Sequence, residues 1–146
     1  MPEARKVKVL FLCARNSCRS QMAEGWARAL KGDAVEAYSA GFMGAGLDPR
    51  AVKVMAEAGV DISRQRSKTF DQLGEVAFDC VVTVCGSAHE ACPVFPGKVK
   101  VVHAAFDDPP ELARQAQTEE EALAHYRRIR DQIRAFVEGL PEALGE

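Results

Sequence analysis

The sequence predicts an α/β protein, a single domain spanning residues 1–146 with a four-stranded parallel sheet flanked by helices. Three observations carry that reading. The segment from Lys6 to Cys13 is nearly continuous in apolar residues, the pattern of a strand buried on both faces of a parallel sheet. Further short apolar runs alternate with helical patterns along the chain. A length of 146 residues with 47% hydrophobic content suffices for one sizeable core, and no linker, repeat or low-complexity tract divides it.

From Ser20 to Lys31 the residues Met22, Ala23, Trp26 and Leu30 recur at helical spacing, and Gly32 is placed to stop the helix. Ala34 to Ser39 reads as a second strand ending at Gly41. Gly44, Gly46 and the pair Asp48-Pro49 then signal a loop and a helix start, with Gly59 as its end. Phe78 to Cys85 and Val99 to His103 are the third and fourth strands, separated by the turn-rich stretch from Pro93 to Gly97. Thr118 followed by Glu121 is a capping-box pattern ahead of a stripe of Leu123, Tyr126, Ile129, Ile133, Phe136, Val137 and Leu140. Trp26 and Tyr126 lie on these stripes and are read as core.

A net charge of −2 with both signs interspersed excludes a general attraction to nucleic acid or anionic lipid, so any anion site is local. No run approaches the roughly 20 apolar residues of a membrane span. The stretch from Val7 to Cys13 is too short and too early for a cleaved signal sequence. The expectation is a cytoplasmic monomer without nucleic-acid or membrane partners. Five cysteines, an odd number lacking the dense spacing of a secreted scaffold, point to redox or metal chemistry.

Parallel sheets bind ligands in loops at the carboxyl ends of their strands, where Cys13 and Cys85 both fall. The octapeptide Cys13, Ala14, Arg15, Asn16, Ser17, Cys18, Arg19, Ser20 joins the first strand to the first helix. A loop wrapped at a helix N-terminus aims backbone N–H groups inward, and with the helix dipole these favour an oxyanion. Arg19 adds a planar, bidentate fork. The same field favours the thiolate form of Cys13, which is the nucleophile, and Ser20 is in place to donate to its sulfur. Spacing alone leaves open a buried strand-end thiol and a solvated arginine; the strand before the pair and the helix after it argue for an oxyanion cradle.

Cys18 is read as either an accessory group or a small packing residue, and Cys80 as buried packing. Cys85, Cys92, His89 and His103 are the candidate zinc ligands. The six residues between the two cysteines exceed the two to four of structural knuckles, so no metal is expected. No spacing ties His89, His103 or His125 to Cys13.

On these residues the chain resembles the low-molecular-weight tyrosine phosphatase superfamily, whose signature is Cys-x5-Arg-Ser directly after the first strand. More narrowly, it is similar to the thioredoxin-coupled arsenate reductases. The agreement includes CARNSCRSQMAEGWAR, CGSAHEAC, FDDP and TEEEALAHYRRIRDQI, and so covers essentially the whole chain. The resemblance implies a low-molecular-weight phosphatase-like fold and reduction of arsenate to arsenite by a three-cysteine relay. Cys13 attacks arsenate, and Asp108, the aspartate immediately before a proline, protonates the departing oxygen. Arsenite leaves as Cys85 attacks Cys13, and Cys92 moves the disulfide outward as Cys85–Cys92, which thioredoxin reduces. No tightly bound cofactor is implied, and phosphate and sulfate are the expected competing anions.

The alternative is a phosphatase that hydrolyses phosphomonoesters through a Cys13 phosphocysteine. Reduction is favoured because two electrons require further thiols, which Cys85 and Cys92 supply. In the phosphatases the acid loop usually continues with aromatics that stack on a phosphotyrosine ring, whereas here it reads Pro110 and Glu111.

The chain departs from the family at two positions. Arg15 stands where relatives commonly have glycine, adding charge beside the oxyanion at a position where positive φ would strain a side chain. Some such reductases bind potassium through an asparagine, a glutamate, a serine and an aspartate; Asn16, Glu24 and Ser39 match the first three, and Lys68 stands at the fourth. Its ammonium is expected to replace the ion and orient Asn16. The relay needs a new sulfur–sulfur contact at each step. Hydrogen exchange at residues 86–92 is therefore expected to differ between reduced and oxidised protein, and equal protection in both would count against the relay.

Overall fold

The most apolar strand lies inside the sheet, as its two-faced burial requires. The computed structural model describes residues 6–13, 16–41, 46–73, 76–84 and 99–144. Its elements are β1 (Val7–Leu12), α1 (Arg19–Lys31), β2 (Val35–Ala40), α2 (Pro49–Glu57), β3 (Cys80–Thr83), β4 (Lys100–His103), α3 (Pro109–Ala113) and α4 (Glu119–Glu138). Single 3-10 turns lie at Phe70–Leu73 and Glu142–Leu144. The four strands run in the order β2-β1-β3-β4, every neighbouring pair parallel.

After β1 the chain moves first to one side, to β2, and later to the other, to β3. The strand order thus reverses beside β1, and the crevice at the carboxyl ends of β1 and β3 is where such sheets receive ligands. Leu12 pairs with Ala40 on one side and Thr83 on the other. Cys13, the next residue, continues the ladder by donating its N–H to Ala40 O at 3.2 Å.

Side chains along β1 alternate between two apolar clusters. Val9 and Phe11 join Met22, Trp26, Val54, Met55, Tyr126, Ile129 and Ile133 from α1, α2 and α4. Leu10 and Leu12 face the other way, against Ala40 and Val81, with Tyr38, Leu73, Phe78 and Val99 packed around them. Among the described residues, no α-helix contributes to this second cluster. The expected stripe of α4 is buried at Leu123, Tyr126, Ile129, Ile133 and Val137, and Leu140 beyond it is also buried.

The helix ends follow their side-chain chemistry. Asp48 Oδ1 accepts from Arg50 N at 2.9 Å, with Pro49 in the first turn. The helix closes on Gly59 at φ 87°, with Gly59 N donating to Ala56 O and Val60 N to Met55 O, the paired bonds of a Schellman end. Thr118 accepts from Glu121 N at 3.0 Å; Glu121 reaches back to Gln117 N, one residue beyond the expected capping-box partner. Gly25 serves close approach, because a Cβ there would lie 2.5 Å from the Ile62 side chain.

Two expectations change. The third strand begins at Cys80, because the Asp79 carboxylate takes the Lys8 N–H at 2.8 Å and Phe78 turns into the second cluster. Leu30, read from its spacing as part of the buried stripe, is 37% exposed on the last turn of α1. Ile133→Ala is therefore expected to lower the unfolding free energy by about 2–5 kcal/mol. Leu30→Ala is expected to stay within about 0.5 kcal/mol of wild type, both read by urea denaturation.

Candidate active site

The carboxyl end of β1 and the first turn of α1 meet over a buried polar loop. Asn16, Arg19, Ser20 and Gln21 are all buried there, as is Cys13 at 3% exposure. Cys18 is the N-cap of α1 but makes no side-chain capping bond, and the first turn carries no acid. The helix therefore presents its N-terminal N–H groups and positive dipole end without an internal anion.

Asn16 turns the loop with φ 52°, a left-handed conformation that asparagine tolerates better than most residues. A backbone N–H can only donate, so Lys68 N at 2.8 Å fixes Asn16 Oδ1 as the acceptor and turns the amide nitrogen the other way. Asn16 Nδ2 donates to Ser20 Oγ at 2.9 Å. Ser20 Oγ also lies 3.0 Å from Cys13 Sγ. With Asn16 donating to its oxygen, the serine keeps its own hydrogen to give to the sulfur, the direction the contact takes when Cys13 is a thiolate.

Arg19 spans the mouth of the loop. Its Nη1 donates to Val84 O at 3.2 Å and to Phe106 O at 2.9 Å, tying the end of β3 to the segment ahead of α3. Its Nη2 stands 3.6 Å from Asp108 Oδ1, with Arg19 4% and Asp108 36% exposed. The guanidinium is thus held rigid inside while the carboxylate faces the opening. Phe106 is further fixed edge-on against Phe136 of α4. Asp107 points away, paired at 3.7 Å with Arg128 on the surface.

A second buried charge lies behind the loop. Ser39 donates to Glu24 Oε1, and Arg28 pairs with Glu24 Oε2 at 2.6 Å. Lys68 Nζ lies 3.8 Å from Glu24 Oε1 and donates to Arg66 O at 2.9 Å. Burial pushes the Lys68 ammonium below the usual lysine range, opposed by Glu24. The group touching Asn16 is the Lys68 backbone N–H, not the ammonium expected from sequence. The backbone does so because Gly41 N pairs with Lys68 O at 3.0 Å and draws the segment along the edge of β2.

Burial, followed by Asp48 and Cys13, pushes the Cys18 thiol well above its ordinary range, which favours its protonated form. Ser17 O accepts from Asp48 N at 2.9 Å. Asp48 Oδ2 accepts from Tyr126 at 2.6 Å, so the tyrosine read as core also braces the loop from α4. Cys80 is buried in β3. Ala14, Arg15, Cys85, His89 and Cys92 lie outside the described residues. Among the described residues, no cluster of three or more His, Cys, Asp or Glu is suited to a metal, and no helix is long and apolar enough to cross a membrane.

Sequence reasoning missed Gln21, Gln65, Asp48 and Tyr126 as supports. The spacing of Gln21 within the loop–helix junction, five residues after Asn16, was the available signal, since Gln65 and Arg66 come from far along the chain.

Comparison with known proteins places this geometry. The model of the low molecular weight phosphotyrosine protein phosphatase family matches residues 8–146. The chain is 51% identical over 125 residues to an arsenate reductase of Bacillus subtilis, covering 86% of this chain and 88% of that protein. It is 49% identical over 128 residues to an arsenate reductase of Halalkalibacterium halodurans, covering 88% and 90%. A solved arsenate reductase in the phosphate binding state superposes with a TM-score of 0.76 at 30% identity, covering 95% of this chain and 99% of that one. Matched over nearly its whole length, the chain belongs to the low molecular weight phosphotyrosine protein phosphatase family.

Proposed function

We propose that this chain, acting as a monomeric single domain in the cytoplasm, reduces arsenate to arsenite with Cys13 as nucleophile and thioredoxin as reductant. The observation that carries the reading is the directed chain from Asn16 through Ser20 to the Cys13 sulfur, set at an uncapped helix start under Arg19. The proposed oxyanion site is the loop of Cys13, Ala14, Arg15, Asn16, Ser17, Cys18, Arg19 and Ser20, in which phosphate and sulfate compete.

In the first step the Cys13 thiolate forms a bond to arsenic, and an arsenate hydroxyl leaves as water with a proton from Asp108. Arg19 and the helix N-terminus stabilise the oxyanion charge as that bond forms. Cys85 then attacks the Cys13 sulfur. The sulfur–arsenic bond breaks with its electron pair going to arsenic, releasing arsenic(III) as arsenite and leaving a Cys13–Cys85 disulfide. Cys92 attacks Cys85 and frees Cys13 as thiolate. The Cys85–Cys92 disulfide takes two electrons from a thioredoxin dithiol, which becomes the disulfide.

Phosphoester hydrolysis needs only Cys13, Arg19 and Asp108, and the family match supports it as a side activity. Cys85→Ser and Cys92→Ser are expected to abolish multiple-turnover arsenate reduction with thioredoxin, thioredoxin reductase and NADPH. Both should retain hydrolysis of a small aryl phosphate, whereas Cys13→Ser loses both activities. Survival of reduction in the Cys85 and Cys92 variants would sink the relay. Replacing thioredoxin by glutathione and glutaredoxin in the same assay tests the partner.

The donor set around Glu24 does not fit a potassium ion, because its buried carboxylate already faces Arg28 and Lys68. Lys68 is proposed to stand in for the ion. Turnover is expected to be independent of potassium in wild type and to gain potassium dependence in Lys68→Asp. Strong potassium activation of the wild type would overturn this assignment.

A further inference from the structure

Asn16 holds a left-handed backbone, a conformation that needs its surroundings to fix it. It is also completely buried, so its polar atoms must be met by protein. Lys68 N and Ser20 meet two of its groups. Its backbone carbonyl falls to Gln21, which is itself completely buried. Gln21 Nε2 lies 3.0 Å from Asn16 O, 2.9 Å from Asn16 Oδ1 and 2.9 Å from Arg66 O. One amide nitrogen thus serves the backbone and the side chain of the turning residue together with the strand-edge segment that supplies Lys68.

The orientation of that amide is imposed from outside. Gln65 Nε2 donates to Gln21 Oε1 at 2.8 Å and to Gln21 O at 3.0 Å. With its oxygen held by Gln65, Gln21 can only turn its NH2 group inward, where every neighbour is an acceptor. A carboxylate at position 21 would set acceptor against acceptors. An apolar side chain would leave Asn16 O unmet in the interior.

We propose that Gln21, locked by Gln65, is a positioning residue for the oxyanion loop: it fixes Asn16, and through Asn16 the serine that supports the Cys13 thiolate. The inference rests on the reading of Cys13 as the nucleophile at an oxyanion site. It assigns Gln21 no contact with substrate.

The test is peptide-resolved alkylation of the full chain by iodoacetamide, with and without inorganic phosphate. In wild type, phosphate protects Cys13. Gln21→Met is expected to slow Cys13 alkylation at pH 7 about tenfold and to weaken phosphate protection by a similar factor, as the loss of a buried partner predicts. Cys18 and Cys80 stay slow. Gln65→Met gives a smaller deficit of the same kind. Gln21→Glu shows the deficit at about pH 8 and recovers toward wild type at about pH 5, because a protonated carboxyl regains one donor; Gln21→Met does not recover.

A wild-type Cys13 rate with wild-type protection in Gln21→Met overturns the proposal, as does a Gln21→Glu deficit independent of pH. Faster labelling of Cys18 and Cys80 in Gln21→Met would mark a merely structural role and also overturns it. Failure of phosphate to protect Cys13 in wild type strikes instead at the nucleophile assignment beneath it.

Discussion

One backbone N–H, that of Lys68, gives the buried loop its direction. Because it can only donate, it fixes which end of the Asn16 amide accepts. Asn16 then donates to Ser20, whose hydroxyl lies in hydrogen-bond contact with the Cys13 sulfur. The neighbouring amides of Gln21 and Gln65 are oriented by the same logic. Buried polar networks are stabilising when every member is satisfied and costly when one is not. The described part of the loop, from Asn16 to Ser20, is thus tied down by its own hydrogen bonds, and donors already held in place do not have to reorganise when an anion arrives.

The sheet makes that rigidity possible. β1 is buried on both faces, so its register with β2 and β3 is strongly specified, and the residue that follows it cannot drift. α4 then closes the site from the far end of the chain. Tyr126 holds Asp48, whose backbone N–H holds Ser17, while Phe136 packs on Phe106 beside the Arg19 contact. Trp26 of α1 donates to Arg130 O and lies under the Arg134 guanidinium, so α1 is seated against the same helix. In a chain with a net charge of −2, the positive field at the loop is a local product of one helix end and one buried arginine.

On the proposed reading the cradle is indifferent to which tetrahedral oxyanion it holds, so one scaffold can serve hydrolysis or reduction. Nucleophile, arginine and acid are common to both chemistries. What separates them is the supply of two electrons, which the proposed relay draws from thiols outside the loop. The buried Glu24, neutralised by Arg28 and Lys68, shows the same economy at a second position: the cations are covalently part of the chain.

The sequence by itself determined the α/β class, the number of strands and the placing of the Cys13–Ser20 segment between the first strand and the first helix. These are local patterns, written in hydrophobic period, turn residues and caps, and they need no knowledge of distant neighbours. Tertiary structure alone decided that Lys68 reaches Asn16 through its backbone, that Tyr126 and Asp48 brace Ser17, and that Gln21 and Gln65 clamp the turn. It also decided that Leu30, on the right period, stays in solvent. These depend on residues 31 to 78 positions apart, or on which part of a helix meets a partner, and no local pattern encodes such meetings.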